Sequence, residues 1–371
     1  ALPISASFAA STGIVSDGSP HSPCATIRPA ISGSTPSRSR AAEVIAEYFG
    51  TTKEYEGSFY DAYFARDTTG RKWKVMSDGS LDCQRKEGRR KVSADRNYSV
   101  EVVSPICQYG DIETVQELIR RLREAGAFVN SSCGIHIHIN AAPFDAPHLR
   151  NLVNIMAAKE DMIYKALKVS RGRESHYCRK IDPAFLERLN RQKPATLDRL
   201  KNLWYNGRDG SREHYHHSRY HCLNLHSVFQ KGTVEFRAFN GDLHAGKIKA
   251  YIQFCLAMTA QALNQRSASP TKTQSSNEKY TFRVWLLRLG MIGDEFKTAR
   301  KHLLDHLEGC TVSVLSDGAP HPDVVVSGGD ITLQRAASVV QVGLPCPARY
   351  RSMRLEAGGS DGVAQGKTKR I

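Results

Sequence analysis

Ser131-Ser132-Cys133-Gly134-Ile135-His136-Ile137-His138-Ile139-Asn140 alternates without a break, apolar at Ile135, Ile137 and Ile139, polar at His136, His138 and Asn140. A period of two puts the three polar side chains on one face of a β-strand and the isoleucines on the other. β-Branched residues suit such a pleated, half-buried surface. Two imidazoles about 7 Å apart on a rigid strand can share one metal ion or one anion. Taken alone, the strand equally suits a half-exposed surface that happens to carry histidines, so the flanking chain must decide.

Two other segments repeat the alternation. Tyr98 to Ile106 (YSVEVVSPI) reads as a strand with Glu101 on the face opposite Val100 and Val102. Thr233 to Phe239 (TVEFRAF), entered through a Lys231-Gly232 turn, puts Thr233, Glu235 and Arg237 on one face. Residues 58–66 and Lys72 to Met76 read as a hairpin ending in Ser77-Asp78-Gly79-Ser80-Leu81. Helices are expected from Ala41 to Phe49, stopped by Gly50, and from Ile112 to Ala125, capped by Asp111. Further helices are expected at 147–167, 183–190, 196–204 and 245–263 and over much of 281–307, with a polar loop at 267–277. The pattern predicts an α+β fold: a largely antiparallel sheet, helices on its outer face and a site on its open, concave face.

On that reading one sheet face carries Glu101, His136, His138, Asn140, Glu235 and Arg237. Carboxylates with an imidazole suit a hard or borderline divalent ion such as Mg²⁺ or Mn²⁺. An arginine two residues from such a glutamate is well placed for a phosphate oxygen. Each glutamate alone equally suits a salt bridge; it is the coincidence of three strands that favours a site.

Composition narrows the classes. The 371 residues carry a formal charge of +15 with 40% hydrophobic residues, enough to bury a core and favouring anionic partners. The basic residues are spread rather than blocked, and no nucleic-acid motif accompanies them, which disfavours a nucleic-acid partner. No apolar run reaches the length of a membrane span, and the N-terminus lacks the pattern of a secretory signal. Nine cysteines without a C-x-x-C pair suit reduced thiols and a cytoplasmic setting.

Cys133-Gly-Ile-His-Ile-His-Ile-Asn140, followed by Gly232-Thr-Val-Glu-Phe-Arg-Ala-Phe-Asn-Gly241, resembles the putative amidoligase family. These are carboxylate–amine ligases related to glutamine synthetase and glutamate–cysteine ligase. The resemblance extends to Asp78-Gly79-Ser80-Leu81, Glu101 with Ser104-Pro105, and Arg219-Tyr220 with Asn224, over roughly residues 41–300. It implies a glutamine-synthetase-like fold and an ATP- and Mg²⁺- (or Mn²⁺-) dependent enzyme. A carboxylate would be phosphorylated to an acyl phosphate, and an amine would then displace the phosphate to give an amide. By the same resemblance Glu101, His136 and Glu235 would hold metal, and His138, Asn140 and Arg237 would face the nucleotide. Glu101, Glu235 and Arg237 would carry the catalysis, while Asp78, Ser80, Arg219 and Asn224 would bind substrate, a small-molecule or peptide carboxylate or amine. Arg219 also suits an alternative role, anchoring a loop by hydrogen bonds.

One feature departs from the family pattern. Its members open with a G-x-E-x-E strand before the first helix, whose carboxylates bind metal. Here Ser/Pro-rich sequence precedes Ala41, and Glu54-Tyr55-Glu56 lies after that helix. Residues 1–40 and 310–371, biased to Ser, Pro, Gly and Arg, are expected to be disordered or out-of-frame ends flanking a domain at 41–308. Two rival readings stand beside the ligase. One is a zinc hydrolase built on the His-x-His strand, with the 214–226 histidine cluster and Cys222 as further ligands. The other is a basic nucleic-acid-binding protein.

Overall fold

A computed structural model describes residues 25–27, 30–31, 37–87, 90–275, 277–307, 311–325 and 331–343. The chain divides into two compact units, 1–308 and 309–371. The larger begins with β1 (Ala25–Ile27), β2 (Ala30–Ile31), α1 (Arg38–Phe49), β3 (Lys53–Tyr55), β4 (Tyr63–Arg66) and β5 (Lys72–Met76). It continues through β6 (Gln84–Glu87), β7 (Arg90–Ser93), β8 (Glu101–Val103), α2 (Ile112–Glu124), β9 (Ala127–Phe128) and β10 (Gly134–Asn140). Then come α3 (Ala146–Ala166), α4 (Arg171–His176), α5 (Pro183–Gln192), α6 (Leu197–Trp204), β11 (Leu223–Asn224) and α7 (His226–Lys231). The unit closes with β12 (Thr233–Asn240), α8 (Ala245–Asn264), α9 (Glu278–Arg288) and α10 (Lys297–Leu304).

Eight of these strands form one sheet in the order β11-β12-β10-β1-β8-β5-β4-β3, and every neighbouring pair is antiparallel. The expected α+β architecture is therefore what the chain adopts. One face of the sheet, with Val75, Val102, Ile135, Ile137 and Phe236, packs with α1, α2, α3 and α8 into the main core. Each of these helices presents its apolar stripe there: Ile112, Val115, Leu118, Ile119 and Leu122 from α2 are all buried. The other face carries the polar alternates and a small separate apolar cluster of Ala62, Met76 and Val103. Among the described residues no helix is long and apolar enough to cross a membrane.

Several boundaries differ from expectation for identifiable reasons. α1 starts at Arg38 rather than Ala41, because Ser37 caps it and the Arg38 side chain is buried against Asp61 and the carbonyls of Arg96 and Ser99. Asp111 stands at the N-cap of α2 without a side-chain cap bond, because its carboxylate accepts from Gln108 N at 2.7 Å and pairs with the Arg71 guanidinium at 2.9 Å. Within the stretch expected to lack order, β1 runs between β8 and β10, with Thr26 opposite both Val103 and His136. The expectation for residues 1–24, 28–29, 32–36, 310, 326–330 and 344–371 lies outside the described residues.

In the smaller unit β13 (Thr311–Ser316), β14 (Ala319–Val325) and β15 (Val340–Gly343) form an antiparallel sheet in the order β14-β13-β15. The connection Asp317-Gly318 has positive φ at both residues, as a two-residue hairpin turn requires. The Asp317 carboxylate also accepts from Ser338 N and Val339 N, tying β15 to the hairpin. A segment expected to be unstructured thus holds a hairpin, signalled by its Asp-Gly pair between β-branched residues. Among the described residues Cys83, Cys107, Cys178, Cys222 and Cys255 are free thiols; Cys24, Cys310 and Cys346 fall outside them.

Candidate active site

β10 and β12 pair with Asn140 opposite Thr233 and His138 opposite Glu235. A register shift between Ile135 and Ile137 makes Arg237 and Ala238 together face His136. The polar alternates of the two strands therefore converge on one carboxylate. Glu235 Oε1 lies 2.6 Å from Arg237 Nη1, 3.2 Å from His136 Nδ1 and 3.6 Å from His138 Nε2. Its other oxygen accepts from Asn224 Nδ2 at 2.6 Å. Asn224 stands opposite Glu235 on edge strand β11, which is what brings the amide into reach.

Two glycines in the strand motifs let the backbone close up here. A Cβ on Gly134 would stand 2.7 Å from Arg173 Nη2 and 2.8 Å from its Cζ. Arg173 is buried, and its guanidinium donates to Cys133 O at 3.3 Å and Arg237 O at 3.0 Å, locking the start of β10 to β12. A Cβ on Gly241 would stand 2.5 Å from the Cys133 Cβ. Gly241 N instead donates to Cys133 O at 2.9 Å.

The site is enclosed. His136, His138, Glu235 and Arg237 are each at most 4% exposed, where the sequence suggested an open face. Arg237 Nε donates to Tyr177 O at 3.2 Å and its guanidinium lies 5.8 Å from the Tyr220 ring centroid. Ser227 and Thr233 cover His138: Thr233 Oγ1 is 2.9 Å from its Nδ1 and 2.7 Å from Ser227 Oγ.

Charge in so dry a place is set by neighbours. Burial alone would raise the Glu235 pKa, but Arg237, then His138, His136 and Arg219 hold it well below the usual range, so it is ionised. Burial drives the His138 imidazole down to about 3 against the pull of Glu235, so at neutral pH the ring is uncharged. Lys231, the last residue of α7, has its ammonium pKa lowered by burial; Glu235 and Glu101 act in the opposite direction, and Arg219 and Arg237 add to the lowering. It belongs to the site, yet a lysine before Gly232 reads in sequence only as a turn residue.

The remaining expected residues are placed as follows. Glu101 begins β8, opposite Met76, and its charge reaches Lys231 and Tyr60. Asn140 Oδ1 accepts from Ala142 N at 3.0 Å, closing the end of its strand. Arg219 donates to His214 O at 2.9 Å and lies 5.4 and 5.7 Å from the ring centroids of Tyr215 and Tyr220, the loop-anchoring alternative, while its charge still acts on Glu235. Asp78 Oδ1 accepts from Ser80 N and Ser80 Oγ, both at 2.8 Å, in the loop after β5. That loop and Glu101 belong to the half of the sheet on the far side of β1 from Glu235. Of the histidines at 214–226, His216 meets His217 and stacks on His226 with centroids 5.7 Å apart, Tyr205 Oη bonds His226 Nδ1, and His214 and His221 meet Tyr215 and Trp204 instead.

A Mg²⁺ ion prefers an oxygen-rich octahedral shell. The Glu235 cluster offers one carboxylate already neutralised by Arg237, two imidazoles, and Asn224 Oδ1, which is buried without a hydrogen-bond partner among the described residues. Glu101 is two strands from His136, so an ion shared by them would sit over β1, whose Ala25-Thr26-Ile27 has no carboxylate. Among the described residues no three His, Cys, Asp or Glu side chains gather as a metal site. The donor set does not fit a preformed Mg²⁺ cage.

Residues 34–259 match the family model described as "Putative amidoligase enzyme". The chain belongs to this family. The match takes in β10, β12 and the whole Glu235 cluster, and it begins ahead of α1. No curated protein matches this amidoligase significantly.

Proposed function

We propose that this amidoligase joins a carboxylate to an amine at the expense of ATP, through an acyl phosphate. The observation that carries the reading is the ionised, buried Glu235 held between Arg237 and two imidazoles, inside the family match. The carboxylate oxygen of the first substrate attacks the γ-phosphorus of ATP and ADP leaves. The amine nitrogen then attacks the acyl carbon, expelling phosphate and losing a proton. Both steps build negative charge on phosphate oxygens, which fixed cations stabilise best in a water-poor setting. Arg237, Arg219 and Lys231 supply that charge, with His138 and Asn140 toward the nucleotide. Glu235 keeps Arg237 in one orientation, and Glu101 is the base candidate on the opposite side of β1. On this reading Mg²⁺ or Mn²⁺ arrives on the nucleotide's own phosphates as part of the substrate, and the fold is of the glutamine-synthetase type, working in the cytoplasm.

The test is phosphate release from Mg-ATP against panels of carboxylates and amines. Release that requires both partners, falling at least about 100-fold in Glu235→Gln assayed at a temperature where circular dichroism shows that variant folded, supports the reading, since misplacing a charge-stabilising group is worth about 2.7–4 kcal/mol. Equal turnover by Glu235→Gln would overturn the role of Glu235. Tightly held zinc with turnover independent of ATP would overturn the ligase.

A further inference from the structure

On the opposite side of edge strand β11 from Glu235 lies a cavity of about 390 Å³ between α5, the end of α6 and residues 217–221. Leu223 lines it while the next residue, Asn224, holds Glu235, and successive strand residues face opposite ways. We propose that this cavity binds a small aromatic carboxylate.

Charge and shape lead to the same ligand. Arg179 and Arg188 both line the cavity, and neither pairs with a carboxylate among the described residues. Arg179 is held by the carbonyls of His217 at 3.0 Å and Tyr220 at 3.5 Å, which orient the guanidinium without neutralising it. Arg188 Nε is buried with no hydrogen-bond partner among the described residues, so a buried donor there is left to a ligand. The one acid in the lining, Asp182, is committed to capping α5 through Phe185 N at 2.6 Å. An arginine fork of this kind matches a carboxylate in geometry as well as in charge.

Trp204 forms the aromatic wall. It meets Phe185 edge-on at 5.1 Å and His221 at 5.6 Å. Its indole N–H is taken by Ser218 Oγ at 2.9 Å, so a ligand meets the ring and not the donor. His221 Nδ1 donates to Ser218 O at 2.9 Å, which leaves Nε2 as an acceptor. The volume is near the lower end of small-molecule sites, roughly 300–1,000 Å³, and suits a single ring with its acid group.

Calorimetric titration of the full chain with benzoate, cyclohexanecarboxylate and inorganic phosphate tests this. Benzoate is expected to bind saturably, more tightly than cyclohexanecarboxylate, and phosphate not to bind in its place. Arg188→Gln, with its melting temperature unchanged, is expected to weaken benzoate by at least about tenfold, the loss of one charge-assisted hydrogen bond. Benzoate binding that survives Arg188→Gln undiminished belongs elsewhere on the protein and overturns the assignment. So does phosphate competing as well as benzoate, or no benzoate binding at all.

Discussion

Arg237 and Glu235 show what a buried charge pair does for this site. Each leaves the other uncompensated if removed, and a lone buried charge is penalised far more than the pair is rewarded. Arg237→Met should therefore destabilise the larger unit by about 3–5 kcal/mol in urea titration, because Glu235 would lose its nearest cation; a change below about 1 kcal/mol would show that the pair is not buried as described. Acid should act through the histidines. Burial lowers His138 to about 3 and His226 to about 4, both below the unfolded value of 6.5. As pH falls below 6.5 the unfolded chain takes up protons that the folded chain refuses, so stability drops from there to about pH 4 through His226 and on to about pH 3 through His138. For His226 alone the displacement is worth on the order of 3 kcal/mol, and His226→Phe should flatten the pH dependence of the melting temperature between 6.5 and 4. Alternation and spacing made His136, His138, Glu235 and Arg237 legible, since a strand's face follows from its sequence. Lys231 was not, because its place depends on where α7 ends in three dimensions. Asn224 was legible as a site residue, but its amide N–H is engaged by Glu235.

Among the elements, β10 owes its position to a residue with no side chain. Gly134→Ala would push the Arg173 guanidinium off Cys133 O and Arg237 O. Losing two charge-assisted bonds should reduce stability by about 3–6 kcal/mol, visible as a lower urea midpoint with an unchanged slope. Helix α3 makes a similar point with buried amides. Asn154 Nδ2 donates to Asn190 Oδ1 at 2.8 Å and to Ala268 O at 2.9 Å, while Asn151 Nδ2 donates to Gln265 O at 2.9 Å. These bonds pin the turn after α8 onto α3, and Asn154→Leu should speed proteolysis around residue 268 before it changes the melt; equal cleavage would show that the pinning lies elsewhere. Helices with an apolar stripe and strands with unbroken alternation could be read directly. The two-residue β11 and the Ala25–Ile27 strand could not, since neither is long enough to show a period and each exists only because a neighbour offers it hydrogen bonds.

For the whole molecule, the eight-stranded sheet is two four- and three-stranded leaves with β1 between them. β3, β4, β5 and β8 make one leaf, β10, β12 and β11 the other, and among the described residues only Ala25–Ile27 is hydrogen-bonded to both. Deleting residues 1–36 should leave the helix-packed core but split the unfolding of the larger unit into two transitions by calorimetry; a single sharp transition would mean that the helices alone couple the leaves. The sheet's antiparallel class was legible from the order of patterned segments. Its strand order was not, because β1 reaches its partners across long stretches of chain and carries no pattern of its own.

That seam also has a consequence for how the chain comes together. Thr26 must find Val103 and His136, each far along the sequence, so closing the middle of the sheet pays loop-closure entropy twice for three residues of pairing. The β3-β4-β5-β8 leaf and the β11-β12 pair close over shorter separations, and β10 joins β12 over a long one but with six paired positions where β1 offers β10 three. The last event is then the docking of the N-terminal strand, and until it happens β8 and β10 present bare strand edges to whatever extended segment is near.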